Sequence, residues 1–140
     1  MGIIPDDLEE IGIYHGRYVN EEFCEIVDKI KPSFIGIFSI CPETYCHVLT
    51  EAWSCGVPVL ATKMGALEER IVENGGGWFL EHESPVNAYN KILEIADSPE
   101  EYLKVVEDVS NIKIKGRKEM TDDYERIYRQ NLVIQQKKIY

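Results

Sequence analysis

The stretch Phe34-Ile35-Gly36-Ile37-Phe38-Ser39-Ile40-Cys41-Pro42-Glu43-Thr44-Tyr45 decides the fold. Phe34 to Ile40 is a continuous apolar run, the pattern of a strand covered on both faces. Pro42 and Glu43 make a turn just beyond its carboxyl end. From about Thr44 the residues Tyr45, Val48, Leu49, Ala52 and Trp53 recur at helical spacing, which predicts a helix burying that face. Thr44, His47, Glu51 and Ser54 then share the opposite face.

Outward from this unit the same alternation continues. Val57-Pro58-Val59-Leu60-Ala61 and Trp78-Phe79-Leu80 read as further strands, each after a glycine suited to closing the preceding helix. Upstream, Ile11, Ile13 and Tyr14 before Gly16 read as a short strand. Asn20 then caps a helix carrying Phe23, Ile26, Val27 and Ile30 until Pro32 stops it. Four strands alternating with helices predict an α/β fold: a Rossmann-like parallel sheet with helices on both faces and a helical carboxy-terminal extension. In that extension Tyr89, Ile92, Leu93 and Ala96 form one apolar stripe and Ser98-Pro99 interrupts. Tyr102, Leu103, Val106 and Val109 form a second stripe, and Tyr124, Ile127, Tyr128 and Leu132 a third, before a tail that frays from Gln135. The reading is one domain over 1–140, with a core at 11–97 and carboxy-terminal helices at 98–134.

A chain of 140 residues with 44% hydrophobic residues can bury one core, and it has no apolar run long enough to span a bilayer. The start, Met1-Gly2-Ile3-Ile4-Pro5, lacks the basic and apolar regions of a secretory signal, so a cytoplasmic address is expected. A net charge of −10 argues against nucleic acid or an anionic membrane surface as the main partner, and no direct membrane insertion is expected. Cys24, Cys41, Cys46 and Cys55 lack the paired short spacings of a zinc site and read as reduced, mostly buried thiols. Trp53 and Trp78 read as packing residues. Gly75-Gly76-Gly77 suits either a phosphate approach or a loop that closes a helix.

An acidic chain can still bind an anion locally. Free N–H groups and the positive dipole end at a helix start hold phosphate without lysine. Here that start follows a strand's carboxyl end, where open parallel sheets bind ligands. A carboxylate at the turn, Glu43, and another about 10 Å along the helix, Glu51, can accept hydrogen bonds from hydroxyls on either side of a diphosphate. His47 reads as a helix-surface histidine, with no carboxylate or nucleophile beside it for general-base work.

Glu43-Thr44-Tyr45-Cys46-His47-Val48-Leu49-Thr50-Glu51, continued by Cys55-Gly56-Val57-Pro58-Val59 and by Gly65-Ala66-Leu67-Glu68-Glu69-Arg70, resembles the Glu-x7-Glu and Gly-Gly-x-x-Glu segments of the family 4 (group 1) retaining glycosyltransferases. The spelling is similar to the surface-polysaccharide branch, and the likeness covers about residues 11 to 96. It implies the donor-binding, carboxy-terminal half of a GT-B fold, which in a full-length hexosyltransferase moves a sugar from a nucleoside diphosphate to an acceptor hydroxyl. It implies no metal and no cofactor beyond the nucleotide sugar. Glu43, the catalytic candidate, would face the sugar hydroxyls. The backbone N–H groups of Tyr45, Cys46 and His47 would hold the distal phosphate and Glu51 the ribose, with Thr44 beside them. Gly16 and Arg17 would border the base. Gly65 and Glu69 enter by the match, although Glu69 and Arg70 also read as a surface pair.

Two departures stand out. Cys46 replaces the glycine usual in the family, and a thiol at a helix start can have a lowered pKa. The amino-terminal acceptor lobe and a basic pair that grips the diphosphate are absent, so this chain alone is expected to be inactive, with that lobe as its partner. The full enzyme is expected at most at the membrane periphery. Two other readings remain open: a lobe of a nucleotide-sugar epimerase or hydrolase, and a non-catalytic module that binds a nucleotide or a protein.

Overall fold

A computed structural model describes residues 12–13, 15–19, 22–81 and 84–137. Three strands, β1 (Ile35–Ile37), β2 (Val59–Thr62) and β3 (Gly77–Leu80), form a parallel sheet in the order β1-β2-β3. Around them run α1 (Phe23–Ile30), α2 (His47–Ser54), α3 (Gly65–Asn74), α4 (Pro85–Asp97), α5 (Pro99–Asn111) and α6 (Arg117–Lys137). The α/β class, the parallel sheet and the helical extension are as the sequence predicts.

Alternation along β2 sorts the helices into two layers. Val59 and Ala61 face α2 and α3, packing with Leu49, Ala52 and Trp53 of α2 and Leu67 and Ile71 of α3. Leu60 faces the other way and packs with Trp78 and Leu80 of β3, Ile95 of α4 and Val105 of α5. Side chains that alternate across a strand and a sheet covered on both faces account for this split. Both tryptophans are packing residues. Trp53 donates its indole N–H to Gly76 O at 2.9 Å, and the Trp78 ring stacks on Tyr102 with centroids 5.9 Å apart. A Cβ on Gly76 would lie 2.8 Å from the Trp53 indole nitrogen, so this glycine serves close packing.

Several expectations need correction. Three strands are present among the described residues, against the four expected. Ile11, Tyr14 and Asn20 lie outside the described residues, and Ile13, within them, is in no strand and is 84% exposed. The strand expected over 34–40 is confined to Ile35–Ile37, because Phe38 and Ile40 are exposed where the chain leaves the sheet. Helix α2 begins at His47 rather than near Thr44, and Tyr45 and Val48 are exposed. On α4 the expected stripe of Tyr89, Ile92, Leu93 and Ala96 faces outward while Ile95 is buried. On α5 Val105 takes the place expected for Leu103. Neighbouring positions point about 100° apart on a helix, and the apolar residues of α4 and α5 spread over more than one face, so only packing against the sheet selects which of them turn inward. Tyr124, Ile127 and Tyr128 are exposed on α6, and the helix runs on through Gln135 and Gln136 to Lys137.

The cysteines also differ from expectation. Cys24 of α1 and Cys55, just after α2, form a disulfide with Cα atoms 5.4 Å apart, while Cys41 and Cys46 are free.

Candidate functional site

The loop from β1 to α2 lies at the carboxyl end of the sheet, and its shape is set by bonds from below. Thr62, at the end of β2 and buried, donates its hydroxyl to Ser39 O at 2.7 Å. The Ser39 hydroxyl lies 3.1 Å from Glu43 Oε1 and 2.9 Å from Cys41 O, so its one proton is shared between them. Glu43 is thus connected through Ser39 to a buried residue of the central strand.

Helix α3 holds the same loop from the side. Ala66 N–H donates to Glu43 O at 3.0 Å. At Gly65, where φ is +52°, a Cβ would stand 2.9 Å from Glu43 O and 3.0 Å from Glu43 N. Glycine is required there both for the backbone angle and for the close approach. One turn on, Arg70 donates to Tyr45 O at 2.7 Å, Cys46 O at 3.1 Å and Thr50 Oγ1 at 2.9 Å, with its guanidinium 4.5 Å from the Tyr45 ring centroid. The expected surface pair of Glu69 with Arg70 is therefore absent. Arg70 turns to the loop, where two carbonyls and a hydroxyl match its fork of donors.

At the helix start Cys46 adopts φ +61° and ψ 87°, left-handed values that cost a residue with a Cβ about 1–2 kcal/mol. Glycine would adopt this conformation without that cost. Among the described residues the backbone N–H groups of Tyr45, Cys46 and His47 donate to no protein acceptor. Burial raises the Cys46 thiol pKa, outweighing the Leu49 N–H that lowers it. The expectation of a lowered value fails because the side chain turns into the core instead of toward solvent. Glu51 stands four residues into α2, about 6 Å along the axis rather than the expected 10 Å, because the helix starts later. Its Oε2 accepts a hydrogen bond from the Tyr18 hydroxyl at 3.2 Å. Burial, and then Glu51, raise the Tyr18 pKa.

The family model for group 1 glycosyl transferases matches residues 29–118, which spans the loop, both glutamates and α3. The chain belongs to the group 1 glycosyltransferases. No curated protein and no solved structure matches it. In this glycosyltransferase domain α3 gathers the candidates on one loop: Gly65 approaches the Glu43 backbone, and Arg70 holds the carbonyls of Tyr45 and Cys46. Thr44 is exposed ahead of the helix and His47 opens it, its ring 5.0 Å from that of Tyr45. Gly16 and Arg17 are exposed and outside this cluster, although their neighbour Tyr18 reaches Glu51. Glu69 is exposed and makes no ion pair among the described residues.

Ser39, Thr62 and Arg70 brace the candidate loop, and sequence reading missed all three contacts. A polar residue ending an apolar strand, as Thr62 does, was the available signal. Nothing local marks Arg70 as a partner of residues 24 and 25 positions away. Among the described residues no cluster of three or more His, Cys, Asp or Glu side chains could hold a metal ion, and no helix is long and apolar enough to cross a membrane.

Proposed function

We propose that this domain is the donor lobe of a family 4 retaining glycosyltransferase of the surface-polysaccharide type, and that its ligand is a nucleoside diphosphate sugar. The observation that supports this most is the family match running unbroken through Glu43, the α2 start, Glu51 and α3. In this reading Glu43 accepts from the sugar hydroxyls, the N–H groups of Tyr45, Cys46 and His47 receive the distal phosphate, and Glu51 accepts from the ribose. Departure of the diphosphate is stabilised by fixed N–H dipoles at the helix start, with no metal or protein nucleophile needed. The acceptor hydroxyl is supplied opposite Glu43 by a second lobe, which orients it for transfer.

The Tyr18 hydroxyl on Glu51 supplies the kind of donor that a ribose hydroxyl would bring. If Glu51 holds the ribose, Glu51→Ala should weaken ribonucleotide binding by about 1.5 to 3 kcal/mol, the range for hydrogen bonds to a charged group. The 2′-deoxynucleotide should lose less. Calorimetric titration of both ligands into both proteins is the check. Equal losses, or none, would make Glu51 a carboxylate that serves only Tyr18.

A further inference from the structure

The geometry points to Arg70 as the positioning residue of the donor site: its guanidinium aims the phosphate-facing N–H groups by holding the opposite ends of the same peptide units. In a planar trans peptide the C=O of one residue and the N–H of the next point in opposite directions. All the peptide bonds described here are trans. By fixing Tyr45 O at 2.7 Å, Arg70 fixes where the Cys46 N–H points, and by fixing Cys46 O at 3.1 Å it does the same for the His47 N–H. These are two of the groups assigned above to the phosphate, so for its ligand this inference rests on that donor-site reading.

Three further observations tie the arginine to this role. Cys46 is held at φ +61°, a conformation that a residue with a Cβ leaves unless its surroundings over-determine it. Arg70 Nη2 donates to Thr50 Oγ1 at 2.9 Å, which registers the first turn of α2 against the same guanidinium. The cation lies 4.5 Å from the Tyr45 centroid and 5.2 Å from that of Trp53, so it cannot swing away without giving up both rings. A lysine ammonium is a point charge and cannot reach two carbonyls and a hydroxyl in one plane. Half-buried behind the loop, Arg70 acts on the ligand through the backbone.

A hollow of about 290 Å³ beside Arg70, lined by Tyr45, Thr50, Trp53 and Asn74, makes chemical rescue feasible. The test compares the chain with Arg70→Ala and Arg70→Lys, reading the amide resonances of residues 45–48 and the affinities for UDP, GDP, ADP and TDP. Arg70→Ala should displace those resonances and weaken the bound diphosphate roughly tenfold, and millimolar ethylguanidinium should restore both. Arg70→Lys should be displaced and weakened like Arg70→Ala, and it carries the test if the alanine variant does not fold. Unmoved resonances with unchanged affinity, or a lysine variant indistinguishable from the parent, overturns the proposal. If the parent binds none of the four, the donor-site reading fails separately and the resonances alone decide: displacement reversed by ethylguanidinium supports Arg70 as the brace of the helix start, and no displacement overturns it.

Discussion

Gly65→Val is expected to be among the most damaging single changes outside the buried core, and to remove nucleotide binding with it. The added Cβ would meet Glu43 O at 2.9 Å, Glu43 N at 3.0 Å and Pro42 Cα at 3.2 Å, all of them backbone atoms that no rotamer change can move aside. A branched residue at φ +52° adds strain of roughly 1–3 kcal/mol. Overpacking adds about 1–3 kcal/mol more. Relief would come from moving α3 away from the loop, which breaks the Ala66 N–H bond to Glu43 O and draws Arg70 from the Tyr45 and Cys46 carbonyls. Gly56→Val separates the two costs. Gly56 has φ +75° but open space within 4 Å, so valine there should carry the strain without the clash. Urea denaturation should place Gly65→Val clearly below Gly56→Val. Equal midpoints would mean that α3 does not press on the Glu43 backbone.

Loss of the Cys24–Cys55 bond should cost about 3.7 kcal/mol, the chain-entropy value for a cross-link between residues 31 apart. The effect should concentrate on α1, whose one fully buried side chain is Val27. Without the cross-link α1 has little to hold it to the sheet, and Tyr18, just upstream and in ring contact with Phe23 of α1, should leave Glu51. Dithiothreitol, or Cys24→Ser, should therefore lower the urea midpoint and speed amide exchange in α1 ahead of α3 and α5. Four titratable thiols in the unreduced, denatured chain would show that the bond does not form.

The parts of the fold legible in the sequence are those fixed by local rules. The β2 and β3 runs, the stop at Pro32 and the Ser98-Pro99 break between α4 and α5 are where backbone sterics and apolar patterning put them. Leu49, Ala52 and Trp53 are buried as their spacing requires. Glu43 and the α2 start could be read as a candidate site because turn, helix and strand end are all local features.

What stayed hidden depends on contacts far apart in sequence. The apolar spacing that begins at Tyr45 marks a helix, but the Tyr45 and Cys46 carbonyls are held by Arg70 and the chain takes a left-handed residue before α2 begins. The direction of the Cys46 pKa shift followed from that same detail, since an inward side chain is governed by burial more than by the dipole. The disulfide joins residues 31 apart and needs the tertiary placement of α1 against α2 to be seen. On α4 and α5 the apolar residues occupy more than one face, and the sheet decided that Ile95 and Val105 turned inward.

The account rests above all on the α2 start as a diphosphate site, and titrating the isotopically labelled chain with UDP, GDP, ADP and TDP tests that most directly. At least one of them, at millimolar concentration, should shift the amide resonances of Cys46 and His47 most strongly, with smaller shifts reaching Glu51 and Tyr18, and should raise the melting temperature by mass action. A chain in which none of the four moves any amide between Tyr45 and Glu51, or in which the shifts fall on α4 and α5 instead, would contradict it.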